Sequence, residues 1–201
     1  MAYTKITLKE LETNFGIINK KQRLFQNITP VPASKRLQEA LEEVQDLNVW
    51  SEKARGEMFV LPMLLEIRRN NNKFFTIHSG DVLIADVKRK LTGECDFMLA
   101  YDTGEIGINC PILQITEAKR NDIELGISQC AAQLVGASVF NENNGKPLPV
   151  IYGCVTNGYE WLFMKLENKQ IIADTHSYTV KEEVLGIFQS IIDFYKKTLI
   201  K

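Results

Sequence analysis

The segment LQITEAKR, residues 113–120, carries an acid and an amine two positions apart, Glu117 and Lys119. Alternate side chains of an extended chain share a face, so these two project together while Ala118 turns the other way. The same alternation assigns Leu113 and Ile115 to that face, burying the start of the strand and leaving charge at its end. Desolvating such charges costs several kcal/mol unless they are paired or bind a cation. Upstream, Asp96 stands in GECDFMLAYD. A reversal near Asp102 to Gly107 lays that strand antiparallel to the one bearing Glu117 and brings the two carboxylates together. With the Ala118 backbone carbonyl they make a hard-oxygen donor set suited to Mg²⁺ or Mn²⁺. A cation held there lowers the pKa of bound water and neutralises charge on a phosphate, while Lys119 orients or helps deprotonate the nucleophile. That is the chemistry of phosphodiester hydrolysis.

The elements that position these groups follow from pattern. Leu37, Leu41, Val44 and Leu47 recur at helical spacing, which predicts an amphipathic helix from Ser34, its N-cap, to about Asn48. Ser51 caps a second helix through Glu52, Glu57, Phe59 and Leu65, which Pro62 must kink or restart. Short β-prone runs follow, FFTIH, VLIADV and CDFMLAYD, separated at Ser79-Gly80 and Thr92-Gly93. After the strand Ile112 to Lys119, Leu125 to Phe140 reads as a helix whose Ala131, Ala132, Gly136 and Ala137 permit close packing. PVIYGCVT and YEWLFMKL flank Asn157-Gly158, a tight-turn signal, and IIAD is a further strand. Thr179 and Glu182 have capping-box spacing before a C-terminal helix with Val184, Phe188, Ile191 and Tyr195 on one stripe. The sum is an α/β or α+β sandwich, helices against a mixed sheet.

Asp96, then Glu117-Ala118-Lys119, then a helix carrying Gln129 and Gln133, together resemble the PD-(D/E)xK nuclease superfamily. The likeness is strongest to the nuclease domains of type I restriction enzyme motor subunits and their stand-alone relatives. In those domains an upstream helix supplies a Glu followed ten residues later by Pro, as Glu52 and Pro62 are spaced here. A strand ending in Thr-Asn-Gly and an aromatic strand follow the site, as in CVTNGYEWLFMKL. The resemblance spans roughly residues 50–175. It implies a restriction-endonuclease-like mixed β-sheet flanked by helices, with 49–201 as the nuclease domain and 1–48 as an N-terminal helical accessory segment. It implies Asp96, Glu117 and Lys119 as the catalytic core, the metal on Asp96, Glu117 and Ala118, and a helix acid that it places at Glu52 rather than Glu57. Gln129 and Gln133 share a helical face, and either is the polar helix residue near the scissile phosphate. No Pro precedes Asp96, a common variation in the superfamily.

Composition narrows the alternatives. A chain of 201 residues, 45% hydrophobic, buries one sizeable core. The start MAYTKITLKE has no apolar stretch and no run approaches the ~18 residues of a membrane span, giving the expectation of a cytoplasmic protein off the membrane. Cys95, Cys110, Cys130 and Cys154 have no close pairs, against a CxxC site or a disulfide framework. With a net charge of −1, DNA binding must draw on local clusters such as Lys88-Arg89-Lys90, Arg68-Arg69 or Lys119-Arg120, each of which also reads as a solvated basic turn. Glu167-Asn168-Lys169 and Asp86-Val87-Lys88 repeat the acid-x-lysine spacing without a returning carboxylate strand. His78 and His176 lack partners at metal spacing. Trp161, Phe163 and Tyr159 alternate as core, with base stacking the lesser reading. The competing functional class is a catalytically silent nucleic-acid-binding or assembly protein on the same fold. Cutting both strands of a duplex calls for a homodimer, and a partner subunit would equally supply specificity.

Overall fold

The computed structural model describes residues 3–200. Seven strands form one mixed sheet: β1 (Ile18–Lys21), β2 (Phe75–Asp86), β3 (Leu91–Tyr101), β4 (Ile112–Ala118), β5 (Val150–Thr156), β6 (Trp161–Glu167) and β7 (Gln170–Ala173). Their order is β1-β7-β6-β5-β4-β3-β2. β4 and β5 run parallel, as do β1 and β7; the other neighbours are antiparallel. The helices are α1 (Leu8–Phe15), α2 (Lys35–Gln45), α3 (Glu52–Arg55), α4 (Leu61–Asn70), α5 (Ile127–Asn143) and α6 (Lys181–Leu199). This is the expected mixed α/β arrangement of a sheet with helices on both faces.

Each face has its own core. On one, α5 lies across the middle of the sheet, and Cys130, Leu134 and Ala137 pack with Met98, Ile115 and Val155. Close approach needs its small residues: a Cβ on Gly136 would stand 2.9 Å from Tyr3 Cζ, and one on Gly153 of β5 would stand 2.9 Å from Cys130 Sγ. Together with the turn before it, α5 (Ile123–Asn143) is the one helix among the described residues long and apolar enough to cross a membrane, and it is spent here as a core helix, 56% buried. On the other face, Leu64 and Ile67 of α4 and Leu185, Phe188 and Ile192 of α6 meet Phe75, Leu99 and Phe163 of the sheet.

Several local expectations are corrected. The first 48 residues are not helical throughout: Ile18–Lys21 is an edge strand parallel to β7. Tyr3, Ile6, Leu11 and Ile17 join the α5-side core, and Ala33 and Leu37 the other. Ser34 does cap α2, its hydroxyl accepting from Leu37 N. Ser79-Gly80 and Thr92-Gly93 lie inside β2 and β3 rather than between strands. The chain reverses instead after Asp86, whose carboxylate accepts from Arg89 N and Nε, with Lys90 at φ 62°. The Asn157-Gly158 hairpin closes on Thr156 opposite Trp161, a four-residue loop rather than two, because the Asn157 side chain turns the backbone by accepting from Tyr159 N and Glu160 N. No capping box forms at Thr179: α6 has Val180 as N-cap, without a side-chain cap bond. Pro62 does mark a restart of its helix, as expected. It sits in the first turn of α4, and a π turn over Gly56–Val60 absorbs the missing N–H and the crowding of its ring.

Candidate active site

β3 and β4 bring the two predicted carboxylates side by side. They pair antiparallel, with Phe97 opposite Thr116, so Asp96 and Glu117 occupy the next rung. There the ladder gives way to side chains: Asp96 Oδ2 accepts from Ala118 N at 2.7 Å. A bulge earlier in the pair, between Leu99 and Ala100, inserts one residue into β4. Leu113 therefore falls in the α6-side core while Ile115 lies under α5, which corrects the assignment of both to one face. Downstream of the bulge the alternation holds. Glu117 faces α5, where Gln133 Nε2 donates to its Oε2 at 2.9 Å. Ala118 faces the other side, and a Cβ on Gly56 would stand 3.8 Å from its own.

Lys119 joins the pieces. Its Nζ lies 2.7 Å from Glu117 Oε1, 3.7 Å from Glu52 Oε2 and 3.4 Å from Gln129 Oε1. Glu52 arrives because Ser51 caps α3, its hydroxyl accepting from Ala54 N. Glu57, the other helix acid, lines the same cleft but its carboxylate pairs with Lys53, 3.8 Å away. The two glutamines divide in the same way. Gln129 lines the cleft beside Lys119, whereas Gln133 is wholly buried beneath Glu117 and also donates to Glu94 O at 3.3 Å. All six predicted residues thus come together, with Asp96, Glu117, Lys119, Glu52 and Gln129 lining an open cleft of about 700 Å³.

Burial sets the electrostatics. Glu117 is 1% exposed, and its pKa is pushed up to about 7 by burial first and the Asp96 charge second, against the opposing pull of Lys119 and Gln133. Burial also raises Asp96, partly offset by the Ala118 N–H and Lys119. The two carboxyls share one rung of the sheet, and the Asp96 charge helps to raise Glu117, a placement that favours a proton or a cation beside them. Burial pulls Lys119 down, but the carboxylates of Glu117, Glu52 and Asp96 outweigh it and hold the ammonium charged.

The donor chemistry fits a hard divalent cation. Among the described residues no three His, Cys, Asp or Glu side chains gather as a ligand set. An ion would rest on Asp96 and Glu117, with the Ala118 carbonyl and water completing it, and Mg²⁺ accepts such a shell readily because it keeps several waters. Two contributors escaped the sequence reading. Gly126, in the turn before α5, lies against Lys119: a Cβ there would stand 3.1 Å from its Cγ and 2.5 Å from Val155 Cγ1. Gly80, at φ 70°, sits on the rung opposite Asp96, between the Ser79–Phe97 and Asp81–Cys95 pairs, and lines the cleft. A glycine inside a strand pattern was the available signal for Gly80.

The four cysteines are free. His78 is satisfied, its Nε2 accepting from Asn109 N at 3.2 Å. Glu167-Asn168-Lys169 forms the β6–β7 turn, with positive φ at Asn168 and Lys169. Trp161 and Phe163 are core, but Tyr159 sits in the hairpin loop and is exposed. Neither a scan against protein-family models nor searches of curated proteins and solved structures return a match to this chain.

Proposed function

We propose that this protein is a nuclease of restriction-endonuclease-like architecture that hydrolyses phosphodiester bonds, in DNA foremost, with Mg²⁺ or Mn²⁺. One observation carries the reading: a charged lysine is wedged between Glu117 and Glu52, beside the facing carboxylates of buried Glu117 and half-buried Asp96, in an open cleft. A structural ion pair would match one lysine to one acid. Here three carboxylates crowd one ammonium, leaving negative charge that a divalent cation would balance.

Asp96 and Glu117 would hold the cation, which supplies a water of lowered pKa and offsets the charge building on the phosphate. The chain's own groups do the rest. Ala118 N–H fixes the Asp96 carboxylate in place. Gln133 fixes that of Glu117 from beneath. Lys119, kept protonated by its neighbours, donates hydrogen bonds to the attacking water or to a phosphate oxygen and stabilises the transition-state charge. Glu52 holds the ammonium from the solvent side and Gln129 from α5. Water attacks phosphorus, a P–O bond to the leaving sugar oxygen breaks, and the ends are a phosphate monoester and a hydroxyl.

The test is cleavage of end-labelled single- and double-stranded DNA with Mg²⁺ or Mn²⁺ by wild type, Asp96→Ala and Lys119→Ala. Metal-dependent cleavage confined to the wild type supports the reading. Cleavage retained by both variants, or none by wild type on any substrate, overturns it in favour of a binding protein.

A further inference from the structure

The hydrolytic reading leaves two exposed aromatic rings beside the site's own chain segments unused. Trp50 and Tyr159 are the only solvent-exposed aromatic side chains among the described residues, at 66% and 58%. Each carries an arginine on its ring. The Arg120 guanidinium carbon lies 4.0 Å from the Trp50 ring centroid, and that of Arg55 lies 5.5 Å from the Tyr159 centroid. Tyr159 also packs on Phe59, ring centroids 4.8 Å apart, and still keeps more than half of its surface in solvent.

The two pairs form one rim. Asn157 Nδ2 donates to Asn121 O, next to Arg120, and Arg55 Nη1 donates to Asn157 O, each at 2.9 Å. The rim is also tied to the reacting groups through the chain. Trp50 immediately precedes the cap Ser51 and Glu52, and Arg120 immediately follows Lys119. Two exposed rings with a cation on each, linked through Asn157 and, for Trp50 and Arg120, next in sequence to Glu52's cap and Lys119, have no role in the core.

We propose that this rim is a stacking platform for unpaired nucleotides, with bases on Trp50 and Tyr159 and phosphates on Arg120 and Arg55. The substrate class of the cleft is then single-stranded polynucleotide, including frayed duplex ends. This rests on the nuclease reading above. The chemistry favours that occupant: base stacking is sequence-tolerant and needs an exposed ring face, phosphates need nearby cations, and paired bases hide the faces that would stack. With a net charge of −1 the chain has no general attraction for a polyanion, so capture would fall to Arg120 and Arg55.

The experiment uses the full chain in chelator, with binding read by fluorescence anisotropy. The probes are a single-stranded oligothymidylate, an abasic oligomer of equal length, and a blunt duplex. Wild type is expected to bind the thymidylate at least about ten-fold more tightly than either other probe, with Trp50→Ala and Tyr159→Ala each losing about ten-fold on thymidylate and little on the abasic strand. Trp50→Phe should restore most of the loss. Thymidylate should also quench tryptophan emission, since the only other tryptophan, Trp161, is buried. Equal affinity for thymidylate and abasic strands, equal losses on both, a preference for duplex, or no binding overturns the platform. Cleavage is assayed on the same probes with Mg²⁺ or Mn²⁺. Cleavage without base dependence sinks the platform and leaves the nuclease; base-dependent binding without cleavage sinks the nuclease and leaves the platform.

Discussion

Asp96 accepts a 2.7 Å hydrogen bond from the backbone N–H of Ala118, on the neighbouring strand, at the rung where side chains replace the β3–β4 ladder. One carboxylate oxygen is thereby committed to the scaffold, and the carboxyl is held on the same rung as Glu117. Two acids set side by side with one of them buried oppose folding, which on the proposed reading is an exchange of stability for activity.

Asp96→Asn separates the two contributions. Its amide oxygen keeps the bond to Ala118 while the second negative charge disappears. Without metal at mildly alkaline pH, relief of the repulsion is expected to raise the melting temperature by about 2–4 °C, corresponding to roughly 1 kcal/mol in a chain of this size. Metal-dependent cleavage should fall by about 10² or more, as when one oriented electrostatic group is removed. Thermal melts in chelator and a cleavage assay check both; an unchanged or lower melting temperature means that the pair does not repel.

Glu117 makes the metal-free protein pH-sensitive. Its pKa rises from the ordinary 4.5 to about 7 in the folded chain. Between those values the folded state keeps a proton that the unfolded state has released, so stability declines as pH rises through the window and stays low above it. Asp96, also raised, adds to the same trend at the acid end. Urea midpoints measured in chelator across this window should therefore fall for wild type and flatten for Glu117→Gln. A wild-type midpoint that rises instead would contradict the buried, repelled carboxylate.

Gln129 and Gln133, indistinguishable by spacing, should separate by experiment. Gln133 is wholly buried and donates to Glu117 and to Glu94 O, so Gln133→Leu strips a buried carboxylate and a carbonyl of their donor. A loss of about 1–3 kcal/mol in stability is expected, together with lost cleavage. Gln129→Ala removes a 3.4 Å contact to Lys119 at the cleft wall and should lower cleavage while leaving the melting temperature within about 1 °C. Equal destabilisation by both would remove the distinction.

What the sequence disclosed was local in kind. The acid-x-lysine strand, the returning Asp96 strand and the capped Glu52 are short-range patterns, and the structure gathers all of them. The opposite failure befell Ser79-Gly80 and Thr92-Gly93. Both read as turns, yet β2 and β3 run through them, because cross-strand pairing outweighs the propensity of one glycine. The face of Leu113 was lost for a related reason: a bulge inserts a residue, and alternation counted along one strand cannot register it. The edge strand Ile18–Lys21 was invisible because its partner, β7, lies some 150 residues away and its pattern is polar.

Gly126 gives the sharpest test of how Lys119 is placed. Its φ of −85° is open to any residue, so only packing requires glycine. A Cβ would meet Val155 Cγ1 at 2.5 Å and the Lys119 stem at 3.1 and 3.2 Å. The lysine cannot step aside freely, since its Nζ is tied to Glu117 at 2.7 Å. Gly126→Ala is therefore expected to cost about 1–3 kcal/mol, the usual range for overpacking a filled site, and to lower cleavage by displacing the ammonium. Trimming the other wall, as Gly126→Ala with Val155→Ala, should recover cleavage more than stability, because the second change opens a gap of its own in the α5-side core. Urea unfolding and cleavage rates on the two variants decide it. If Gly126→Ala matches wild type in both, Val155 has yielded, and the position of Lys119 is set by its carboxylates alone.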